Sequence, residues 1–540
     1  MDKYKKFMYI GIFILLISLV SSASTYAWFS WISPSNTSVT LSIGNLADVT
    51  FTSGPDINIT NLAPVYNYTD GVNTTFTVRN TNSTDSLLYK VKLEITSIAN
   101  ELKNESFKYT LLKDNKIVKT GNLKDAINGN ILILNTSSLD KGSTSSPKIS
   151  TFKLYFWIDG NMENNSNMMN KSLIGKIDVG IETNVITNTE SNISPTSKFL
   201  NTEVSRQNIT ILKVVDNLDI PEGATVVDVS KNNDNTIKMW YNGADANGNY
   251  DITIGSNNTI YANPSSTSGL FSNLTNVTSI DLSNMDTSGM TNMSNMFSDN
   301  TSLTNITFGD NFNTANVTNM SGMFKNCTIL KTIDLSSFNT SNAIIFASMF
   351  MNCQGLQNLD LKSFNTSNVT VMYSMFYNCS SLTSLDLSSF NTSNVERMEG
   401  MFYNCSSLTS LDLSNFDTSK ITDMTYMFNR CKSLTSINLS SFDTSNVSSL
   451  YDTFAGLTSL KVLDLSSFDT SKVTNMGRMF LDSNNLVTIY VSDLWNISNV
   501  TAASRMFEGC TSLKGAVPYD SSKTDASMAN YTNGYLTKKL

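Results

Sequence analysis

Apolar residues recur with a fixed period in the carboxyl-terminal half of the chain. A Phe returns every 26 or 27 residues in nine copies, from Phe297 to Phe507. Fixed periods of about 20 to 50 residues are typical of stacked supersecondary units. The stretch Met375–Val395 returns 26 residues later almost unchanged. Such near-identity favours packing of each copy on the next over catalysis.

Each copy contains two patterns of apolar positions. Leu385 and Leu387 flank Asp386, which is typical of a short strand with one buried face. A second stretch has the spacing of one helix face. It consists of Val317, Met320, Met323, Phe324 and Cys327.

The residues around the second stretch suit helix ends. Thr340 and Ser341 precede one such stretch, where a hydroxyl can cap free N–H groups. Asn precedes Cys in several copies, as at Asn326, and tolerates a left-handed backbone. One strand and one short helix cannot bury both apolar faces alone. The pattern therefore predicts an α/β solenoid with a continuous core.

Residues 38–192 follow a different pattern of short alternating strands and polar turns. In one strand Phe152, Leu154, Phe156 and Ile158 share a face. Several such strands predict an antiparallel β-sandwich. Further strand-like segments in residues 198–263 predict a small β cap, because the core of the first copy would otherwise face water.

The amino terminus is typical of an export signal. Lys3, Lys5 and Lys6 precede the apolar run Phe7–Val20, and Ala23 and Ala27 are candidate cleavage positions. The run is shorter than the ~20 residues of a membrane-spanning helix. Cleavage is therefore favoured, and retention as a membrane anchor stays open. We expect a secreted or cell-surface protein.

Composition removes several function classes. The chain has no His, which excludes His-based catalysis and His-based metal sites. Its net charge is −8, so the basic footprint of a nucleic-acid-binding protein is absent. No phosphate-cradling loop, nucleophile elbow or zinc spacing is present. We therefore expect neither an enzyme nor a bound cofactor or metal.

The six Cys residues occupy equivalent positions in different copies, which predicts an inward column of buried thiols. Disulfides between neighbouring copies stay open, although parallel Cβ vectors make poor bridging geometry. The cysteines are Cys327, Cys353, Cys379, Cys405, Cys431 and Cys510.

An outward column of Asp residues is the candidate ligand face. A solvated polar surface is the simpler interpretation, and a face for cations, amines or sugar hydroxyls is the alternative. Calcium needs 6 to 8 oxygens, and no closed cage is evident. The column consists of Asp281, Asp334, Asp360, Asp386, Asp412 and Asp464.

The segment "LTSLDLSSFNTSNVERMEGMFYNC", residues 382–405, resembles the BspA-type leucine-rich repeats of bacterial surface proteins. The resemblance covers about 250 residues. It implies a secreted or surface protein that binds host or neighbouring-cell proteins or glycans. Residues 516–540 resemble the closing cap of that family.

The motifs "STYAWFS", "LSIG", "TTFTVRN" and "LLYKVKLEI" resemble, in that order, the TasA and camelysin group of biofilm-matrix proteins. This resemblance implies a jelly-roll domain that can self-assemble through a donated strand at residues 30–43.

The two resemblances complete the predicted architecture. The expected parts are a signal peptide at 1–31, a TasA-like β-sandwich at 32–195, a β cap at 196–264, a leucine-rich-repeat solenoid of about nine repeats at 265–515, and a cap at 516–540.

The leading functional hypothesis is adhesion, or binding of proteins or glycans, through the solenoid. A matrix fibre subunit that uses the solenoid as a spacer is the first alternative. A glycan-active enzyme is the second, and it is disfavoured because residues 38–192 show no evident pair of carboxylates.

Overall fold

The computed structural model describes residues 56–59, 64–80, 87–127, 129–139, 145–162, 166–169, 171–181, 185–186, 193–231, 235–263 and 269–539. The expected signal peptide with Ala23 and Ala27 and the donated strand at 30–43 lie outside these residues. The described chain divides into two compact units, one up to residue 181 and one from residue 185.

The described part of the first unit consists of two β-sheets and three short 3₁₀ helices, at Tyr68–Asp70, Asn100–Leu102 and Ser166–Met168. The strands are β1 Asp56–Ile59, β2 Pro64–Val65, β3 Val72–Asn80, β4 Leu87–Ile98, β5 Phe107–Lys113, β6 Lys116–Asn122, β7 Asn130–Leu139, β8 Lys148–Asp159 and β9 Leu173–Ile181. One sheet has the order β1-β9-β4-β7 and is antiparallel. In the other, β8 pairs with β2, β3 and β5, and β5 pairs with β6.

Alternating side chains from both sheets form one hydrophobic core. Phe152, Leu154, Phe156 and Ile158 on β8 are all buried, as their spacing predicted. The ring of Tyr89 on β4 lies edge-on to Phe152, with 6.1 Å between centroids, and joins the two sheets.

The second unit begins with strands that run directly into the repeats. They are β10 Val185–Ile186, β11 Ile209–Val215, β12 Thr225–Asp228, β13 Lys238–Tyr241, β14 Tyr250–Gly255, β15 Ile260–Ala262, β16 Ser279–Leu282, β17 Met285–Asp286 and β18 Asn305–Phe308. Two short 3₁₀ helices, Phe199–Asn201 and Arg206–Asn208, precede β11. Strands β14, β11, β16 and β18 pair in parallel in one six-stranded sheet. The edge of the first repeat is thereby covered by backbone hydrogen bonds.

The later repeats form shorter strands, and we call each copy of the repeat a coil. These strands are β19 Ser410–Asp412, β20 Ser436–Asn438, β21 Val462–Asp464, β22 Thr488–Val491 and β23 Thr537–Lys538. Strand β19 pairs in parallel with β20, and β21 with β22, at residues 26 positions apart. Strand β23, which follows the 3₁₀ helix Ala526–Met528, pairs with β22 and closes the last coil.

The predicted fold class is wrong, because no α-helix occurs among the described residues. The second stretch of each coil is a series of turns that bonds to the next coil. The N–H groups of Met320, Gly322 and Phe324 donate to carbonyls of the following coil at 3.0, 2.8 and 2.9 Å. Of the N–H groups between them, that of Met323 donates to the carbonyl of Met320, three residues back, and that of Ser321 donates to the side-chain oxygen of Asn319. A helix would need these same donors for bonds to residues four positions back.

The backbone of these turns also excludes an α-helix. Gly322 and Asn326 have φ angles of 59° and 61°, and equivalent positions repeat this in later coils. An α-helix needs φ near −60° at each residue. The left-handed conformation predicted at Asn326 is confirmed, but it belongs to a turn whose N–H bonds to the following coil and not to a helix end.

The Phe residues that mark the repeat form one buried stack. Phe297 to Phe507 are 0 to 1% exposed, and neighbouring rings lie 5.4 to 6.1 Å apart with interplanar angles of 17° or less. Stacked rings of this kind stabilise beyond their buried area by ~0.5–1.5 kcal/mol per pair. The stripe predicted from Val317 to Cys327 is also fully buried. Its side chains were predicted correctly, and its backbone was not.

A ladder of buried Thr side chains joins successive coils. The hydroxyl of Thr392 donates to the carbonyl of Asp417 at 2.9 Å and accepts the N–H of the same residue at 2.8 Å. Thr340 makes the same pair of bonds to Asn365. The expected role of Thr340 as a helix cap is therefore wrong, because its hydroxyl bonds to the next coil.

Replacing Thr392 by Val should lower the free energy of unfolding by about 1–3 kcal/mol, because the N–H and carbonyl of Asp417, which bond to the buried Thr392 side chain, lose their partner. Chemical denaturation followed by circular dichroism measures the change. Thr383→Val is the matched control, since Thr383 is exposed and should change little. Equal effects at the two positions would contradict the role of the ladder.

Candidate binding surface

The Asp column lies on the surface, and its carboxylates take part in local turns. In each member Oδ1 accepts the backbone N–H of the residue two positions on, as between Asp386 and Ser388 at 3.0 Å. Such Asx turns satisfy a backbone N–H group at the same place in each of these coils. The six bonds involve Asp281, Asp334, Asp360, Asp386, Asp412 and Asp464.

Two column members also have partners outside their own turn. Asp412 accepts a bond from the side-chain amide of Asn438 at 2.9 Å, and Asp464 pairs with Lys539. No cluster of three or more metal-binding side chains occurs in the part of the chain that the structure describes. The column thus contributes to turn formation, and its geometry adds no further argument for a ligand.

Hydrogen bonds from Ser lower the pKa of Asp334 and Asp386, and bonds from Ser414 do so for Asp412. A lowered folded-state pKa stabilises the fold above the ordinary value of 3.8. That contribution is lost as the pH falls through the folded-state pKa values.

We therefore expect the unfolding temperature to fall as the pH drops from 5 to 2. The triple replacement of Asp334, Asp386 and Asp412 by Asn should flatten this dependence. Asn fits the position, since Asn438 accepts the same bond from Ser440 at 3.2 Å. Thermal unfolding at several pH values measures the effect, and an identical pH dependence in both proteins would contradict it.

A second surface, on the turn side of the coils, combines aromatic and cationic side chains. Its members lie in five successive coils and touch one another in an unbroken series. We call it the tyrosine–arginine patch, and it consists of Tyr377, Tyr403, Tyr426, Tyr451, Arg430 and Arg478.

The four Tyr rings of the patch are in direct contact. Tyr377 and Tyr403 stack at 4.2 Å between centroids with an interplanar angle of 7°. Tyr426 stands nearly perpendicular to Tyr403 at 5.9 Å and to Tyr451 at 5.6 Å. Tyr426 is 38% exposed. Burial raises the pKa of Tyr377 and Tyr426, so these phenols stay neutral at physiological pH.

The two Arg residues extend the series over the rings. The guanidinium of Arg430 lies 6.0 Å from the centroid of Tyr403, and that of Arg478 lies 5.8 Å from Tyr451. Such cation–π contacts orient a guanidinium on an aromatic surface. Arg478 also donates to the Tyr451 hydroxyl at 3.3 Å.

A buried carboxylate lies beneath the patch. The side chain of Asp452 is 0% exposed, and its Oδ2 lies 3.2 Å from Nε of Arg478. Burial raises the pKa of Asp452, and Arg478 opposes that rise. This ion pair fixes the position of Arg478 at the end of the patch.

Sequence reasoning missed the patch, although it contained a signal. At the positions of Tyr377 and Tyr403 other coils carry Ser298 and Asn429, and at that of Tyr426 they carry Ser348. Aromatic side chains thus stand in adjacent coils at positions where some other coils carry small polar residues. Their contact became evident only once the register of the coils was known.

All six cysteines are free and buried, as the column interpretation predicted. Each thiol donates to the carbonyl of a Phe one coil back, for example Cys379 to Phe350 at 3.1 Å. Ser483 makes the equivalent bond to Phe454. Burial raises the pKa of Cys353, Cys431 and Cys510 to about 12.

At pH 8 we expect no reaction of the native thiols with iodoacetamide, because the thiolate is the reactive form and these thiols stay protonated. Mass spectrometry after alkylation in denaturant should find all six labelled. The comparison uses the same reagent concentration with and without denaturant. Fewer than six labels in denaturant, restored by a reductant, would instead demonstrate disulfides.

None of the described helices is long and apolar enough to cross a membrane. A comparison with curated proteins found none that matches the chain. The family model described next matches from residue 265 onward, and it gives no support to the resemblance of the preceding residues to the TasA and camelysin group. The repeats at residues 265–384, 354–436 and 407–520 match the model of a family described as Mycoplasma protein of unknown function, DUF285, and the repeat region is similar to that family.

Proposed function

We propose that the chain is an exported surface protein that binds partner molecules through the tyrosine–arginine patch. The patch is the observation that carries the proposal. Its Tyr and Arg side chains occupy positions that small residues fill in other coils, so stacking of the coils does not require them. Tyr and Arg are also enriched among the residues that dominate binding energy at protein surfaces.

Two features of the sequence support this function. The amino-terminal segment has the features of an export signal, and residues 382–405 resemble BspA-type repeats, which are associated with surface binding. The acidic net charge of −8 argues against nucleic acid and against an anionic membrane surface as partners. Proteins or glycans of a host or of neighbouring cells remain as the proposed partners.

The test uses the full chain and replacements that the repeats themselves supply. Tyr377→Asn, Tyr403→Asn and Tyr426→Ser are combined, because equivalent coils carry Asn429 and Ser348 there. Binding is measured on arrays of extracellular-matrix proteins and glycans. We expect at least a tenfold loss of affinity for the strongest binder, which corresponds to ~1.4 kcal/mol or more.

The control combines Asp386→Asn and Asp412→Asn in the Asp column, on the strand side of the coils. Binding should stay within twofold of the unmodified chain. Loss of binding in this control, together with retained binding in the Tyr variant, would assign binding to the Asp column. Unchanged binding in both proteins would favour the alternative in which the repeats act as a spacer.

A further inference from the structure

Arg430 differs from the other Arg residues of the coils, because each of those pairs with a carboxylate. Arg397 lies 3.1 Å from a carboxylate oxygen of Glu399, Arg478 lies 3.2 Å from Asp452, and Arg505 lies 2.6 Å from Glu508. Within the described ranges Arg430 forms no ion pair, and its residue is exposed. Its guanidinium is therefore available to an anion from outside the chain.

The neighbouring coil leaves Arg430 accessible. The equivalent position there is Gly456, with a φ angle of 71°. A Cβ atom added at Gly456 would lie 3.4 Å from the Cα and Cγ atoms of Arg430. The absence of a side chain at this position keeps one side of Arg430 uncovered.

The chemistry of the site favours a ligand that carries one carboxylate beside an apolar group. A guanidinium pairs with a carboxylate through two parallel hydrogen bonds. The net charge of −8 opposes a polyanion, whereas a single carboxylate experiences mainly the nearby guanidinium. The exposed ring of Tyr426 adjoins Tyr403 and supplies an apolar contact next to Arg430.

The ring geometry favours a protein over a sugar. Tyr377 and Tyr403 stack on each other at 4.2 Å, so the ring faces that meet are closed to a ligand. A sugar ring would need an open aromatic face, whereas ring edges and hydroxyls suit side chains and backbone amides. Tyr rings held in this way also lose little conformational entropy on binding.

We propose that the patch binds a partner protein, with Arg430 pairing to an exposed Asp or Glu that stands beside an apolar side chain. This inference rests on the proposed function and adds the class of partner and the residue that recognises it. The Tyr rings supply contact area, and Arg430 selects for the acidic group.

The probe is a library of phage-displayed 12-residue peptides selected on the full chain. We expect the selected peptides to carry Asp or Glu next to an aromatic or aliphatic residue. Their affinity for Arg430→Asn should fall at least tenfold. Asn suits the site, because equivalent positions carry Asn326 and Asn404 with φ angles of 61° and 52°.

The matched control is Arg505→Asn, since Arg505 lies outside the patch and pairs with Glu508. Asn295 occupies the equivalent position there with a φ angle of 52°. The affinity of the Arg505→Asn protein for the selected peptides should stay within twofold of that of the unmodified chain. A charge exchange adds a second test. The Arg430→Glu protein should no longer bind the selected peptides. A peptide whose Glu is changed to Lys should bind this protein at least tenfold more tightly than the original peptide does.

Each other outcome overturns the proposal. Equal affinity of the peptides for the Arg430→Asn protein and for the unmodified chain would show that Arg430 takes no part in recognition. Binding would then be assigned to the Tyr rings. Failure to select peptides, or selection without acidic residues, would refute the partner class. Arg430-dependent binding of hexuronate oligosaccharides instead of peptides would assign the site to acidic glycans. Retained binding in the triple Tyr variant would refute the proposed function itself.

Discussion

The second unit depends on hydrogen bonds that each coil can make only with its neighbours. Alternate N–H groups in every turn stretch donate to the coil that follows, and the buried Thr hydroxyls bond both backbone groups of one residue there. A coil in isolation would exchange these bonds for bonds to water while its apolar side chains stayed exposed, which is unfavourable. Stacking therefore satisfies the backbone as well as burying the Phe rings, and the strands that precede and follow the coils complete the same bonding at both ends.

This arrangement separates the residues that build the fold from those that distinguish one coil from another. Inward positions carry the same few side chains in each coil, because a stacked neighbour determines their size. Outward positions at left-handed residues carry Gly, Ser, Asn, Asp, Tyr or Arg in different coils. Surface chemistry can thus change within a few adjacent coils without disturbing the core, and Tyr426, Arg430 and Arg478 of the tyrosine–arginine patch occupy positions of this kind.

The sequence predicted which side chains are buried more accurately than it predicted the backbone. The spacing from Val317 to Cys327 identified an inward stripe, and every member is buried. The same spacing fits both a helix and a series of three-residue turns, so it cannot distinguish bonds within a coil from bonds between coils. The left-handed residues Gly322 and Asn326 carried the information against a helix. The patch was not predicted, because Tyr426 and Arg430 meet Tyr403 only after the coils have been placed in register.

The uniform interface between coils has a consequence for how such a gene can change. Removing or duplicating one whole copy joins two surfaces that already match. Phe stacks on Phe, and each buried Thr hydroxyl meets the backbone groups to which it bonds. Each added copy would lengthen the stack by roughly one strand spacing, ~4.8 Å. A partial copy would instead place unlike side chains against each other throughout the remaining core. Recombination between near-identical repeats can therefore adjust reach in whole steps while keeping both closing segments.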